Sequence, residues 1–371
     1  MRLHCLQIPH TLPTRQFSHC AFTQKARLFP GMMRTQGYQT IAYGNGDGHE
    51  VQADEWVSLF DEDEYHACVG PIEPTELIGT RAESGTAMYQ QFNYRLRAEL
   101  KERLDPGDVI CLPFGTAHET AVKGLALVNS CDVALIETGI GYSEPVAYYR
   151  VYESNAWRHW ILGREGREGS AWGSPRLEWV VPNYYDPIEW PLVRPSRRPT
   201  TIVYLGRLQT VKGLDLLSHL APRMPDLTFE ICGQGDPAPF LTAPNIRYRP
   251  PITGRERTDF LGLARAAIFP SRFVEPFCGA AVEAMLCGTP VVTSDFGAFT
   301  ETVHDGVTGY RCRTIDAWVE ALRAVEQLDR TTVSAAARNR YTIPAVGPKY
   351  RAVFEELQAA NWQPHLIGSA S

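Results

Sequence analysis

At 371 residues, with 44% hydrophobic and 21% charged side chains, the chain has the composition of a soluble globular protein with room for two ordinary domains. A formal net charge of −6 argues against an obligate nucleic-acid binder. Its nine cysteines stand singly, with neither C-x-x-C nor zinc spacing, which favours free thiols in a reducing, cytoplasmic setting and no metal site.

The opening MRLHCLQIPH lacks the apolar core of a signal peptide, and no apolar run approaches about 18 residues. LHCLQI (Leu3 to Ile8) reads as a first strand, followed by the loop PHTLPTRQFSH. Cys20 to Gln36 reads as a helix with Phe22, Ala26, Phe29 and Met33 on one face. QTIAYG is a second strand closed by the turn-rich GNGDGHE, and DEDE (Asp61 to Glu64) is expected to face solvent. A long helix, Ala87 to Leu104, ends at DPGD; DVICLP and DVALIE are buried strands, and EWVVPN (Glu178 to Asn183) is another. Between them, RVYESNAWRHWILGREGREGSAWGSPR interleaves aromatics with arginines, but Glu165, Glu168 and Glu178 offset the charge, so it reads as a packed helix and a loop. The proline- and arginine-rich Trp190 to Thr200 reads as a linker. Beyond it, TIVYLGR, LTFEICGQGD, NIRYRPPI, AAIFP, TPVVTS and GYRC are strands, and helices near 315–328 and 344–361 finish the pattern. The expected organisation is an α/β chain of two doubly wound parallel-sheet, Rossmann-like domains, 1–190 and 200–343, joined by 191–199, with a terminal helical segment 344–371. The two sheets face each other across a cleft, and ligands gather at the carboxyl ends of such strands.

The most informative stretch is Pro270 to Pro290, PSRFVEPFCGAAVEAMLCGTP. Glu275-Pro276 sits poorly inside a helix, so a helix is predicted to begin near Cys278 and Gly279. The amides at Phe277, Cys278, Gly279 and Ala280 then lack intrahelical partners at the positive end of the dipole, a cradle for phosphate or a polyhydroxyl. Glu275 just before the cradle and Glu283 one turn inside it accept hydroxyl hydrogen bonds, a combination that suits a nucleotide sugar. In YLGRLQTVKGLDLL (Tyr204 to Leu217) a strand ends at a Gly206-Arg207 turn, with Lys212-Gly213 at the next helix start. Arg207 offers a bidentate grip on phosphate and Lys212 a point charge. Gly233 and Gly235 make a tight turn after a strand. In the first half Thr14, Arg15, Ser18 and His19 offer side-chain donors, although Ser18 equally suits a helix cap. Glu137 follows a buried strand, and His118 stands after the preceding one, as a catalyst or as a structural helix-start residue. Asn183 and Asp186 in VVPNYYDP shape a turn.

The two glutamates within P-S-x-x-x-E-P-F-x-x-x-x-x-E-A-x-x-C-G-T-P-V-V resemble the E-x7-E signature of retaining GT-B glycosyltransferases, especially glycosyltransferase family 4. The Arg207–Lys212 block resembles that family's G-R-x-x-x-x-K-G element, which implies that the two cations hold the donor diphosphate in place of a metal ion. The resemblance further implies a donor pocket lined by Gly233 and Gly235, a nucleobase near PPITGRER (Pro250 to Arg257), ribose hydroxyls on Glu283 and sugar hydroxyls on Glu275. It also implies a last helix, Tyr350 to Trp362, that crosses back to the first domain, and no cofactor beyond the nucleotide sugar. TSDFGAFTETVHDGVTGY resembles a downstream element in which Glu301 is structural or braces the donor side. Three features depart from the family: the first loop has no Gly-Gly, Glu137-Thr138 stand where relatives place a histidine, and Cys278 replaces a glycine, which implies an altered sugar pocket. The expected acceptor is a saccharide or glycan hydroxyl, with a hydroxymethylated DNA base as the alternative. An epimerase, a phosphorylase or a non-catalytic sugar-nucleotide binder would share the fold.

Overall fold

The computed structural model describes residues 1–17, 20–70, 85–125, 133–167 and 177–359. Its first sheet comprises β1 (Arg2–Leu6), β2 (Gln39–Asn45), β3 (Glu55–Phe60), β4 (Val109–Leu112), β5 (Ala134–Ile140), β6 (Tyr149–Tyr152) and β7 (Glu178–Val180). The strands run parallel in the order β3-β2-β1-β4-β5-β6-β7. Around them lie α1 (Ala21–Thr35), α2 (Glu62–Val69), α3 (Ala87–Arg103), α4 (Gly115–Val122) and α5 (Asn155–Arg167). The second sheet comprises β8 (Thr201–Leu205), β9 (Thr228–Cys232), β10 (Ile246–Arg249), β11 (Ala266–Phe269), β12 (Val291–Ser294) and β13 (Gly309–Cys312), parallel in the order β10-β9-β8-β11-β12-β13. Its helices are α6 (Leu217–Leu220), α7 (Gly254–Gly262), α8 (Gly279–Leu286), α9 (Phe299–Thr302), α10 (Ile315–Ala324), α11 (Arg330–Tyr341) and α12 (Ile343–Ala359). Central strands such as VICL and AAIF are buried along their whole length because helices cover both faces, which is why they read as unbroken apolar runs.

In each sheet the strand order reverses beside the first strand, between β1 and β4 and between β8 and β11. A doubly wound sheet opens its ligand crevice at that point. The loops leaving β8 and β11 there carry Arg207, Lys212 and Glu275.

β3, β6 and α11 are among the elements that escape the sequence pattern. β3 is an edge strand with an exposed start, directly before the acidic run. Asp61 and Glu64 of that run form a reciprocal capping box on α2 while facing solvent. β6 hides a buried cation: the Arg150 guanidinium is taken up by Ala147 O at 2.8 Å and Glu165 at 2.7 Å. α11 buries only Val333, Ser334, Ala337 and Tyr341, too slight a stripe to read from RTTVSAAARNRY.

The two halves are tied together at several points. α12 lies against α1, where Phe29 meets Tyr350 edge-on at 5.2 Å, and Val346, Tyr350, Val353, Phe354 and Leu357 complete the apolar core of the first sheet. The Tyr185 amide donates to Tyr341 O and the Ile343 amide to Tyr185 O, so the strand leaving the first sheet is pinned to the α11–α12 junction. Glu301 accepts the amides of Asn155 at 2.9 Å and Ala156 at 2.8 Å, and thus caps α5 of the first half from the second. Ser154 donates to Pro276 O at 2.6 Å, and Val274 packs on Ile140, Tyr152, Trp157 and Ile161. Trp190 is buried, and the Val193 amide donates to Cys287 O, so the proline-rich stretch lies on the second half. Among the described residues no helix is long and apolar enough to cross a membrane.

Candidate functional site

The second-sheet loops approach one another backbone to backbone. A Cβ on Gly233 would stand 1.8 Å from Gly206 O, and Gly233 has φ +146°. Gly213 has φ +72° and an added Cβ would stand 1.9 Å from Pro270 O. Only glycine meets either requirement. The Gly206 and Leu208 amides donate to Cys232 O and Gln234 O, which places Gly235 and its turn against the β8 loop. Lys212 ends a short 3-10 turn directly before Gly213 and the helical run that opens at Leu214, and its ammonium reaches Glu275 Oε1 at 2.8 Å. Ser271 donates to the same oxygen, and the Phe273 ring lies 4.5 Å from the ammonium. Arg207 is exposed, with no ion pair among the described residues. The crevice thus presents one cation held by a carboxylate and one that is free.

α8 begins at Gly279, as the proline placement predicts. Phe277 is buried edge-on to Tyr341 at 5.6 Å, so its side chain anchors the loop and only its backbone faces the crevice. Cys278 has φ +67° and is the one non-glycine at positive φ among the described residues. Holding it there costs on the order of 1–2 kcal/mol, and burial pushes its thiol pKa up. The Ala281 amide donates to Cys278 O at 3.1 Å, while the Gly279 and Ala280 amides have no partner among the described residues. Glu283 is 7% exposed, and its Oε2 accepts Arg257 Nε at 2.8 Å and a second guanidinium nitrogen. Burial raises the carboxyl pKa, and the Arg257 guanidinium works against that. Arg257 lies on α7, in the PPITGRER block assigned to the nucleobase. Its pairing 26 residues away has no local sequence signal.

The first sheet treats its candidates differently. Thr14 lies in the loop after β1, half-buried, with a hydroxyl that has no partner among the described residues. Ser18 and His19 lie outside the described residues, and Arg15 is engaged with Glu189 at 2.9 Å. His118 is not presented to the crevice: α4 carries it inward, wholly enclosed beside Phe92 at 5.8 Å, with neither ring nitrogen bonded. Burial lowers its pKa to about 3, so the ring is neutral. Glu137 is also fully buried. Its Oε1 accepts the Val146 amide at 2.7 Å and lies so near Gly115 that a Cβ there would stand 1.7 Å away. Its Oε2 has no hydrogen-bond partner among the described residues, and burial raises the pKa to about 7 against the pull of the Val146 amide and Arg150. A buried ion pair of Lys25 and Glu153, with Lys25 also donating to Gly139 O at 2.7 Å, is a feature that sequence reasoning misses. Its members are 128 residues apart. Among the described residues no three His, Cys, Asp or Glu side chains converge on a metal position.

Residues 199–327 match the family described as Glycosyl transferases group 1. The chain is 34% identical over 183 residues to glycogen synthase of Mycobacterium tuberculosis H37Rv, covering 44% of each chain. It is 33% identical over 128 residues to the D-inositol 3-phosphate glycosyltransferase of Mycobacterium sp. strain KMS, covering 30% of this chain and 28% of the relative. The chain spans less than half the length of these curated relatives. Among solved structures, sucrose-phosphate synthase from Thermosynechococcus elongatus superposes with TM-score 0.66 at 15% identity, over 97% of this chain and 100% of that one. A glycosyltransferase involved in avilamycin A biosynthesis gives TM-score 0.66 at 17% identity, over 98% and 100%. The fold is GT-B.

Proposed function

We propose that this chain is a retaining, metal-independent glycosyltransferase that moves a sugar from a nucleoside-diphosphate sugar to a hydroxyl of a saccharide or glycan. The observation that carries the reading is the Lys212–Glu275 pair at 2.8 Å, seated in glycine-tight loops beside the free Arg207 and the open amides of α8. In this reading Arg207, Lys212 and those amides hold the diphosphate and stabilise the charge that grows on it as the anomeric carbon–oxygen bond breaks. Glu275, held by Lys212, orients the sugar hydroxyls, and Glu283 takes the ribose hydroxyls. The acceptor hydroxyl attacks the anomeric carbon from the leaving-group face, and its proton passes to the departing phosphate oxygen. The named acceptors of two relatives, a glucan and an inositol phosphate, are both polyhydroxylic, which supports the acceptor class.

Thermal shifts with UDP-, GDP-, ADP-, CDP- and dTDP-sugars, with EDTA present, test the reading. A rise with one nucleotide class, absent in Arg207→Ala and Glu283→Ala, is expected because a ligand of the native state raises Tm by mass action. No rise with any of them overturns the donor assignment. Transfer that stops in EDTA overturns metal independence, and a product anomer opposite to the donor's, by NMR, overturns retention.

A further inference from the structure

We propose that Tyr185 is a positioning residue of the nucleotide site, its phenol donating to the same ligand hydroxyl from which Glu283 accepts. The inference rests on the reading of α8 as a nucleotide cradle. Tyr185 is fixed from both sides by its backbone bonds to Tyr341 and Ile343, and its ring stands edge-on to Trp190 at 6.3 Å. A Cβ added to Gly279 would lie 2.8 Å from the phenol oxygen and 3.9 Å from Glu283 Oε1. Both oxygens therefore lie beside Gly279 at the start of α8. The residue is half-buried, and its hydroxyl makes no hydrogen bond to the described residues. The hydroxyl is therefore available to a partner from outside the chain. Burial, with Glu283 and Glu153 nearby, raises the phenol pKa well above its ordinary value and keeps the group a donor. Glu283 commits Oε2 to Arg257 and leaves Oε1 without a hydrogen bond from the described residues. A donor and an acceptor beside the same residue suit a group that accepts and donates at once. A ribose hydroxyl does so, whereas a phosphate oxygen would be repelled by the carboxylate.

The test is calorimetric titration with UDP, ADP and GDP and with their 2′,3′-dideoxy counterparts. It compares the wild-type protein with Tyr185→Phe and Glu283→Ala. Tyr185→Phe keeps the ring against Trp190 and removes one oxygen, so the melting temperature of the free protein should not move. The expected result is about a tenfold loss of affinity for the bound ribonucleotide, with no loss for its dideoxy form. A Phe variant that binds the ribonucleotide as tightly as wild type overturns the inference, as does an equal loss with both forms, which would put the phenol on phosphate. Wild-type protein that binds none of the three nucleotides overturns the functional reading as well. Binding that Glu283→Ala weakens and Tyr185→Phe does not overturns this inference alone.

Discussion

Buried carboxylates sit beside the crevice end of both sheets, and the two halves treat them in opposite ways. In the second half Glu283 is gripped by Arg257 and Glu275 by Lys212, so each carboxylate keeps a cation within hydrogen-bond reach. In the first half Glu137 is held by the Val146 amide, its second oxygen has no hydrogen bond among the described residues, and burial carries its pKa to about 7. His118, equally enclosed, is driven to its neutral form. Glu275 and Glu283 of the second half are thus each paired with a cation, whereas Glu137 and His118 of the first half are enclosed without one in hydrogen-bond reach, even though Glu153 there pairs with Lys25. That contrast explains why the recognisable motifs concentrate in the second half: charge chemistry constrains residue type at fixed spacing, whereas packing tolerates substitution.

The sharpest way to break the contrast is Arg257→Met. It strands Glu283 in a buried site and should cost about 3–5 kcal/mol in urea denaturation at neutral pH, most of it recovered by adding Glu283→Gln. A loss below about 1 kcal/mol would mean that Glu283 simply takes up a proton, as Glu137 does. The next test concerns Glu137 itself. Its pKa rises from 4.5 unfolded to about 7 folded, so between those values the folded chain binds more protons and stability falls as pH rises, then levels off. The total is up to about 3 kcal/mol. His118 works the other way, protecting the fold above about pH 6.5 and losing that contribution as pH falls toward its depressed value. Denaturation of wild type and Glu137→Gln at pH 5, 6, 7 and 8 separates them, because the His118 contribution cancels in the difference. A difference that does not change with pH would remove the Glu137 half of the comparison.

Arg207→Ala addresses the free cation. With no ion pair to lose among the described residues, the variant should keep its melting temperature within about a degree, while donor affinity falls about 10–100-fold. A variant that unfolds early would make Arg207 structural. The smallest effect is expected from Glu301→Ala, which uncaps α5 across the two halves and should cost about 1 kcal/mol by thermal denaturation. No change would show that the contacts of Ser154 and Val274 suffice to join them.

The alternation of strands and helices was legible, as was the start of α8, because glycine, proline and apolar runs act locally. Arg207, Lys212, Glu275 and Glu283 were legible for the same reason, since each pair is separated by a few positions on one loop or helix. Arg257 and the Lys25–Glu153 pair were not, because their partners are distant in the chain and meet only through the fold. β6 was masked by Arg150, a charge whose burial depends on Glu165 arriving from α5. His118 was placed after the strand correctly, but whether a helix turns it toward solvent or core is decided by Phe92 on α3. Thr14 stayed a candidate, and the missing Gly-Gly left no local rule by which to judge it.

α12 gives the molecule a direction in time. The second sheet is complete once residue 312 exists, and its core closes with Val333, Ala337 and Tyr341. Leu3, Cys5, Phe29 and Met32, made long before, keep an open apolar face until Val346 to Leu357 arrive to cover it. The first half therefore cannot complete its core until the chain has been made through Leu357, after every strand of the second sheet.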